Sequence, residues 1–135
     1  RPEVADSPSP ARQVSEAAGT PEPDTLAPAV LAVATGEATY YADRFNGRRT
    51  ASGVIFRNSE YFAAHRTWPF GTVVRVTRVS NGRSVIVTVV DRGPNGSREN
   101  QRRTIIDVSR RAAEELGFVS AGRTPVQVEV LHWGG

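Results

Sequence analysis

From residue 124 to 131 apolar and polar positions alternate, with Val126, Val128 and Val130 in one phase and Gln127 and Glu129 in the other. A period of two, rich in β-branched residues, marks a strand with one buried face and predicts the last strand of the chain. Residues 72–79 (TVVRVTRV) and 84–90 (SVIVTVV) carry the same β-branched signal. Ser80-Asn81-Gly82-Arg83 joins them, and Asn-Gly favours a hairpin because both residues tolerate positive φ. Residues 37–41 and 103–108 are shorter strand candidates. Ser109 then reads as the N-cap of a helix over 110–116, stopped by Gly117. Several short strands with one or two short helices predict an all-β domain closed into a compact barrel rather than a βαβ sheet. Val89-Val90-Asp91 and Ile105-Ile106-Asp107 each end an apolar run in an acid. Barrels with pseudo-twofold halves produce such an echo, and so does chance.

Ahead of the barrel the pattern fails. Residues 1–35 hold six of the nine prolines, mixed with Ala, Ser, Glu and Thr. Such a segment buries too little apolar surface to offset chain entropy, so a disordered linker is expected there, followed by one domain over residues 36–132. Ala29-Val30-Leu31-Ala32-Val33 is the one apolar patch in it, suited to pairing at the domain edge. The linker is long enough to space a domain from a membrane. The chain does not start with Met, so Arg1 is expected to follow a removed leader or an artificial cut.

Charge divides along the same line. Two Arg and five acids precede Gly36 (net −3); fifteen Arg and nine acids follow (net +6). A basic domain favours an anionic partner, nucleic acid or an acidic wall polymer, against the alternative of a solvated surface. The aromatic-interleaved basic stripe of single-strand binders is missing, so nucleic acid is not expected. With no Cys there is neither disulfide nor thiolate metal site. His65 and His132 lie far apart and no ligand spacing links them to acids, so neither metal nor other cofactor is expected. No apolar run approaches the ~18–20 residues that span a bilayer.

The candidate chemistry centres on Asp91, an acid ending an apolar strand and followed by Arg92-Gly93-Pro94. Its lead-in (Val87, Val89, Val90) places it beside low-dielectric core, a setting that favours a protonated carboxyl unless the Arg92 guanidinium folds back. The plain alternative is an Asp that bonds turn amides. His65, 26 positions earlier, either orients that acid, bonds a ligand or ties a loop to its backbone. Tyr40, Tyr41 and Trp68 are candidates for a stacking floor or for core. Arg48, Arg49 and Arg92 are suited to carboxylate ligands or to solvent. Thr50 and Ser52 either bond hydroxyls or close the turn at Gly53. Asp107 is read as capping the following helical turn or closing a loop rather than as a chemical group.

Ala38-Thr39-Tyr40-Tyr41, Asn46-Gly47-Arg48, Thr50-Ala51-Ser52-Gly53, Ala63-Ala64-His65-Arg66-Thr67, Pro69-Phe70-Gly71-Thr72, Asn81-Gly82-Arg83-Ser84, Asp91-Arg92-Gly93-Pro94 and Ile106-Asp107-Val108-Ser109 together resemble the rare lipoprotein A (RlpA) family, in order, over residues 36–131. The resemblance implies a six-stranded double-psi β-barrel, also found in expansins, and cleavage of peptidoglycan glycan strands as a lytic transglycosylase. It implies a cell-envelope or secreted location, periplasmic or outer-membrane associated, and a monomer with a possible membrane tether through a missing leader. It places catalysis on Asp91 and His65, and the chemistry of their side chains makes Tyr40, Tyr41, Arg48, Thr50, Ser52, Thr67 and Arg92 the candidate substrate contacts of such a site. One position departs: the family's Ser-Gly-Glu is Ser52-Gly53-Val54 here, and Glu60 is six residues further on. A lytic transglycosylase can work with one carboxyl, which protonates the leaving oxygen and then takes the proton of the sugar's own C6 hydroxyl. A single acid therefore fits this route better than the two-carboxylate hydrolysis of most glycosidases. Val54 also leaves open a non-catalytic, expansin-like module that grips polysaccharide without cutting it.

Overall fold

Valines set the barrel. The structure is a computed structural model that describes residues 29–135. It contains strands β1 (Ala32–Tyr40), β2 (Phe62–Ala64), β3 (Val73–Arg78), β4 (Ser84–Asp91), β5 (Thr104–Val108) and β6 (Thr124–His132), with helices α1 (Arg98–Arg103) and α2 (Arg110–Leu116). The strands close in the order β1-β5-β2-β4-β3-β6. Two parallel pairs, β1 with β5 and β2 with β4, sit among antiparallel neighbours. This is the expected six-stranded double-psi β-barrel with two short helices.

Alternation along each strand builds the interior. Val87, Val74, Val130 and Ala32 lie in one cross-strand row; Val85, Val76, Val128 and Ala34 lie in the next. Every valine in these rows is buried, whereas Ile86 between them on β4 faces outward and is half exposed. Each such valine contributes about 1.5–3 kcal/mol through burial. Ile106, Val108, Ala38 and Ala63 extend the core, and Ala112, Ala113 and Leu116 of α2 pack into it with Phe118. A second, smaller cluster of Tyr41, Phe56 and Ala64, flanked by Phe45 and Phe62, lies beneath the segment between β1 and β2.

The local signals act as their chemistry dictates. Ser109 accepts the Ala112 amide as N-cap of α2, and Gly117 ends the helix in the left-handed region at φ 84°. The β3–β4 hairpin turns through Val79–Arg83 with Gly82 at φ 74°. Asn81 pins that turn to α2, donating to the Leu116 carbonyl at 3.0 Å while its Oδ1 accepts the Arg83 amide at 2.9 Å.

Three expectations change. β1 starts at Ala32, four residues ahead of the boundary placed at residue 36, because Ala32 to Thr35 pair with Val130 to Gln127 of β6. Residues 1–28 of the linker expected over 1–35 lie outside the described residues. β2 is a strand without a sequence signal, since three residues cannot display a period. Arg103 ends α1 instead of opening β5; the polar helix RENQRR buries no side chain and so offers no apolar stripe to read.

Candidate active site

Asp91 is the last residue of β4, and three donors converge on it. Its Oδ1 accepts the amides of Ala51 and Arg92, each at 2.9 Å, and its Oδ2 accepts the Tyr41 hydroxyl at 2.6 Å. The donors come from the turn at residues 50–54, from β4's own exit, and from the residue after β1, so the side chain is fixed by three parts of the fold. Tyr41 is buried, stacks on Phe56 with centroids 4.1 Å apart and meets Phe45 edge-on. Burial, then the bond to Asp91, drives the Tyr41 hydroxyl well above its usual range, so it stays a donor at any working pH.

The echo seen in the sequence is a feature of the site. Ala64 of β2 is the register partner of Asp91 on one side and of Asp107 on the other. The β2–β4 register slips by one residue between Ala63 and Ala64, which brings Asp91 opposite Ala64, and the Asp91 charge is felt at Asp107 on the other side. Asp107 caps nothing: Ser109 does that, and Asp107 Oδ1 instead accepts the Thr39 hydroxyl at 3.1 Å. Burial, reinforced by the Asp91 charge and opposed by the Thr39 hydroxyl, pushes the Asp107 carboxyl up to about 6. Asp107 lies outside the candidate site residues of the sequence, where the repeated apolar-run-then-acid pattern is the one feature that links it to Asp91.

His65 follows β2. Its amide donates to the Asp91 carbonyl, and its Nδ1 accepts the amides of Thr67 and Trp68 at 3.1 and 3.0 Å. Those bonds assign the ring proton to Nε2. The ring stacks on Trp68 at 3.9 Å. Burial, then the charges of Arg66 and Arg92, lowers His65 to about 4, so it is a neutral imidazole at neutral pH. Its ring makes no hydrogen bond to the Asp91 carboxylate among the described residues.

Arg92 does not fold back on Asp91. Its guanidinium donates to the carbonyls of His65 (3.2 Å) and Trp68 (2.8 Å) and lies over Phe70. Arg66 braces the turn after Asp91, reaching the carbonyls of Pro94 (3.1 Å), Thr104 (2.8 Å) and Gln101 (2.7 Å). Thr50 and Ser52 are bonded to one another at 2.9 Å, and the Thr50 hydroxyl also reaches the Val54 carbonyl at 2.7 Å, so both shape the turn that presents Ala51 to Asp91. Val54 is exposed on that turn. Thr67 is exposed beside His65, and Arg48 is exposed over Phe45. Tyr40 leaves the group: its hydroxyl donates to the Val119 carbonyl at 2.8 Å and its ring packs edge-on against Phe118, on the core side of β1. The alternation of a strand sends neighbouring residues to opposite faces, so Tyr41 and Tyr40 could not both serve the groove.

The family model described as lytic transglycolase matches residues 33–128. This chain belongs to that family, in its RlpA branch. The member from Aquifex aeolicus named probable endolytic peptidoglycan transglycosylase RlpA is 46% identical over 99 residues, covering 73% of this chain and 42% of the relative. The identically named Treponema pallidum protein is 50% identical over 96 residues (71% and 29%). The endolytic peptidoglycan transglycosylase RlpA of Neisseria meningitidis serogroup A is 48% identical over 98 residues (72% and 38%). The chain thus spans less than half the length of these RlpA relatives. Among solved structures, Streptomyces papain inhibitor superposes with a TM-score of 0.60 at 26% identity, covering 76% of this chain and 97% of its own. An expansin of Clavibacter michiganensis does so at 0.58 and 21% identity, covering 77% and 52%. The family fold is therefore shared with proteins of quite different names.

Proposed function

We propose that this RlpA-family barrel cleaves peptidoglycan glycan strands as a lytic transglycosylase, with Asp91 as the carboxylate on which proton transfer turns. The observation that carries the reading is the three-donor clamp on Asp91, which aims one carboxylate from a strand end with no freedom to wander. A group held in this way loses little entropy on meeting substrate. In the reaction the C6 hydroxyl oxygen of a muramyl sugar bonds to its own C1, the C1–O4 bond breaks, and no water is consumed. Asp91 accepts the hydroxyl's proton, and a proton is delivered to the departing O4, so the sum of the two transfers is neutral. His65, neutral and fixed by two amides, offers Nε2–H as a hydrogen-bond donor to sugar. Tyr41 holds Asp91; Thr50 and Ser52 hold the turn that supplies the Ala51 amide. Arg48, Thr67 and Arg92 border the site as contacts for the wall's carboxylates and hydroxyls. The protein acts as a monomer in the cell envelope, where its polymer is found.

The test is incubation with purified peptidoglycan, intact and stripped of stem peptides, followed by mass spectrometry for anhydro-muramyl ends. The wild-type protein forms them and Asp91→Asn does not. Binding of the polymer with no anhydro product from the wild-type protein sinks the catalytic reading. The exposed valine at position 54 favours a second reading, a binding module that has lost its catalysis. Val54→Glu separates the two: a large gain in product from a nearly silent parent supports the second.

A further inference from the structure

We propose that Asp107 is the proton donor to the departing glycosidic oxygen, so that two carboxyls share the work: Asp107 protonates O4 as the C1–O4 bond breaks, and Asp91 takes the proton of the C6 hydroxyl as O6 bonds to C1. The proposal rests on the lytic reading above and deepens it. Atoms balance within each turnover, with one proton leaving Asp107 and one arriving at Asp91; exchange with solvent restores both.

The two acids are differently equipped. Asp91 has both oxygens engaged, and two of its three donors are backbone amides, which cannot accept a proton in return. It is built to remain an acceptor. Asp107 has one bond, from Thr39 to Oδ1, and among the described residues Oδ2 has no partner. The side chain is half-buried yet reaches the surface. Ala64 is the residue of β2 that lies between the two acids, and the Tyr41 hydroxyl, bonded to Asp91, also feels the Asp107 charge. Two strand spacings set their Cα atoms about 10 Å apart. Two carboxyls in one site can divide the work, one protonating the leaving oxygen while the other takes the proton of the nucleophile. Here the C6 hydroxyl takes the place of a water.

The surroundings hold a proton on Asp107 to higher pH than on a free carboxyl. The groups facing it are Tyr41 and Thr39 at the end of β1, Asp91 of β4, and the uncharged Ala64 of β2; no cation is among the causes of its shift. Burial first, then the Asp91 carboxylate, raises it to about 6. An acid in this range is suited to give up its proton near neutrality.

The experiment follows anhydro-muramyl ends from purified peptidoglycan between about pH 4.5 and 8, the span that brackets such a donor. It compares wild type with Asp107→Asn, Asp91→Asn and Thr39→Val, each checked for fold by circular dichroism. The wild-type rate is expected to fall as pH rises through about 6. Asp107→Asn, which keeps the Thr39 bond, is expected to lose at least ~100-fold, as general acids do. The Thr39 hydroxyl favours the ionised form, so Thr39→Val should move the alkaline limb to higher pH, a shift that a purely structural threonine would not give. If wild type is active and Asp91→Asn is dead but Asp107→Asn keeps wild-type rate and profile, the proposal is overturned and the lytic reading stands. An alkaline limb unmoved in Thr39→Val also overturns it. If wild type forms no anhydro ends at any pH, both fall.

Discussion

Replacing Tyr41 with Phe isolates the bond that aims Asp91. The ring keeps its stack on Phe56 (4.1 Å, 21°) and its edge contact with Phe45 (5.4 Å), so no cavity opens. What is lost is a 2.6 Å hydrogen bond to a carboxylate. Bonds to charged groups contribute about 1.5–3 kcal/mol net. Asp91 retains the Ala51 and Arg92 amides, which places the expected loss toward the lower end. For a domain of this size each kcal/mol moves Tm by about 4–8 °C. The assay is urea unfolding of wild type, Tyr41→Phe, Asp91→Asn and the double variant, read as a double-mutant cycle. Because the Tyr41 hydroxyl is raised above its normal range, the bond persists as pH approaches the range in which a free phenol ionises. The coupling should therefore be of similar size at about pH 7 and pH 9.5, below the ordinary tyrosine pKa near 10. A coupling under about 0.5 kcal/mol would show that the short contact does not hold Asp91, because non-interacting sites add within that margin.

Three further outcomes are expected. Asp107→Asn should stabilise the fold at neutral pH by about 1–2 kcal/mol, since an acid raised to about 6 has its favourable state below the unfolded value near 4 and loses it as pH climbs through 6; denaturation showing lower stability at pH 7 would refute this. His65, held near 4, has the opposite slope: the unfolded chain binds its proton first, so stability falls as pH drops from about 6.5 toward about 4, and His65→Gln should flatten that part of the profile in thermal melts. Arg66→Ala frees the carbonyls of Pro94, Gln101 and Thr104 and should lower unfolding free energy by about 2–4 kcal/mol; Arg66→Lys should recover less than half, because one ammonium cannot reproduce a fork spanning three acceptors.

Much of the barrel was legible where a period could run. Residues 84–90 and 124–131 announced β4 and β6, and Ser109 with Gly117 bounded α2 to the residue. β2 was hidden by its brevity, and α1 by its uniformly polar surface. Of the site, the position of Asp91 at a strand end was readable, and so was its attachment to a turn. Its partners were not. Tyr41 is 50 positions away and Ala51 is 40, and no local pattern encodes which donors a strand end will meet.

The same division explains the two tyrosines and the two acids. Sequence alone offered Tyr40 and Tyr41 together as groove candidates, and only the closed sheet decided that Phe118 awaits one and Asp91 the other. Sequence alone wrote the acid twice, at Asp91 and Asp107, after similar apolar runs. Tertiary structure made them a pair by running β2 between their strands, parallel to one and antiparallel to the other, with Ala64 in register with both. Local preference acts over a few residues, whereas burial and charge at Asp107 depend on which distant strands come to rest beside it.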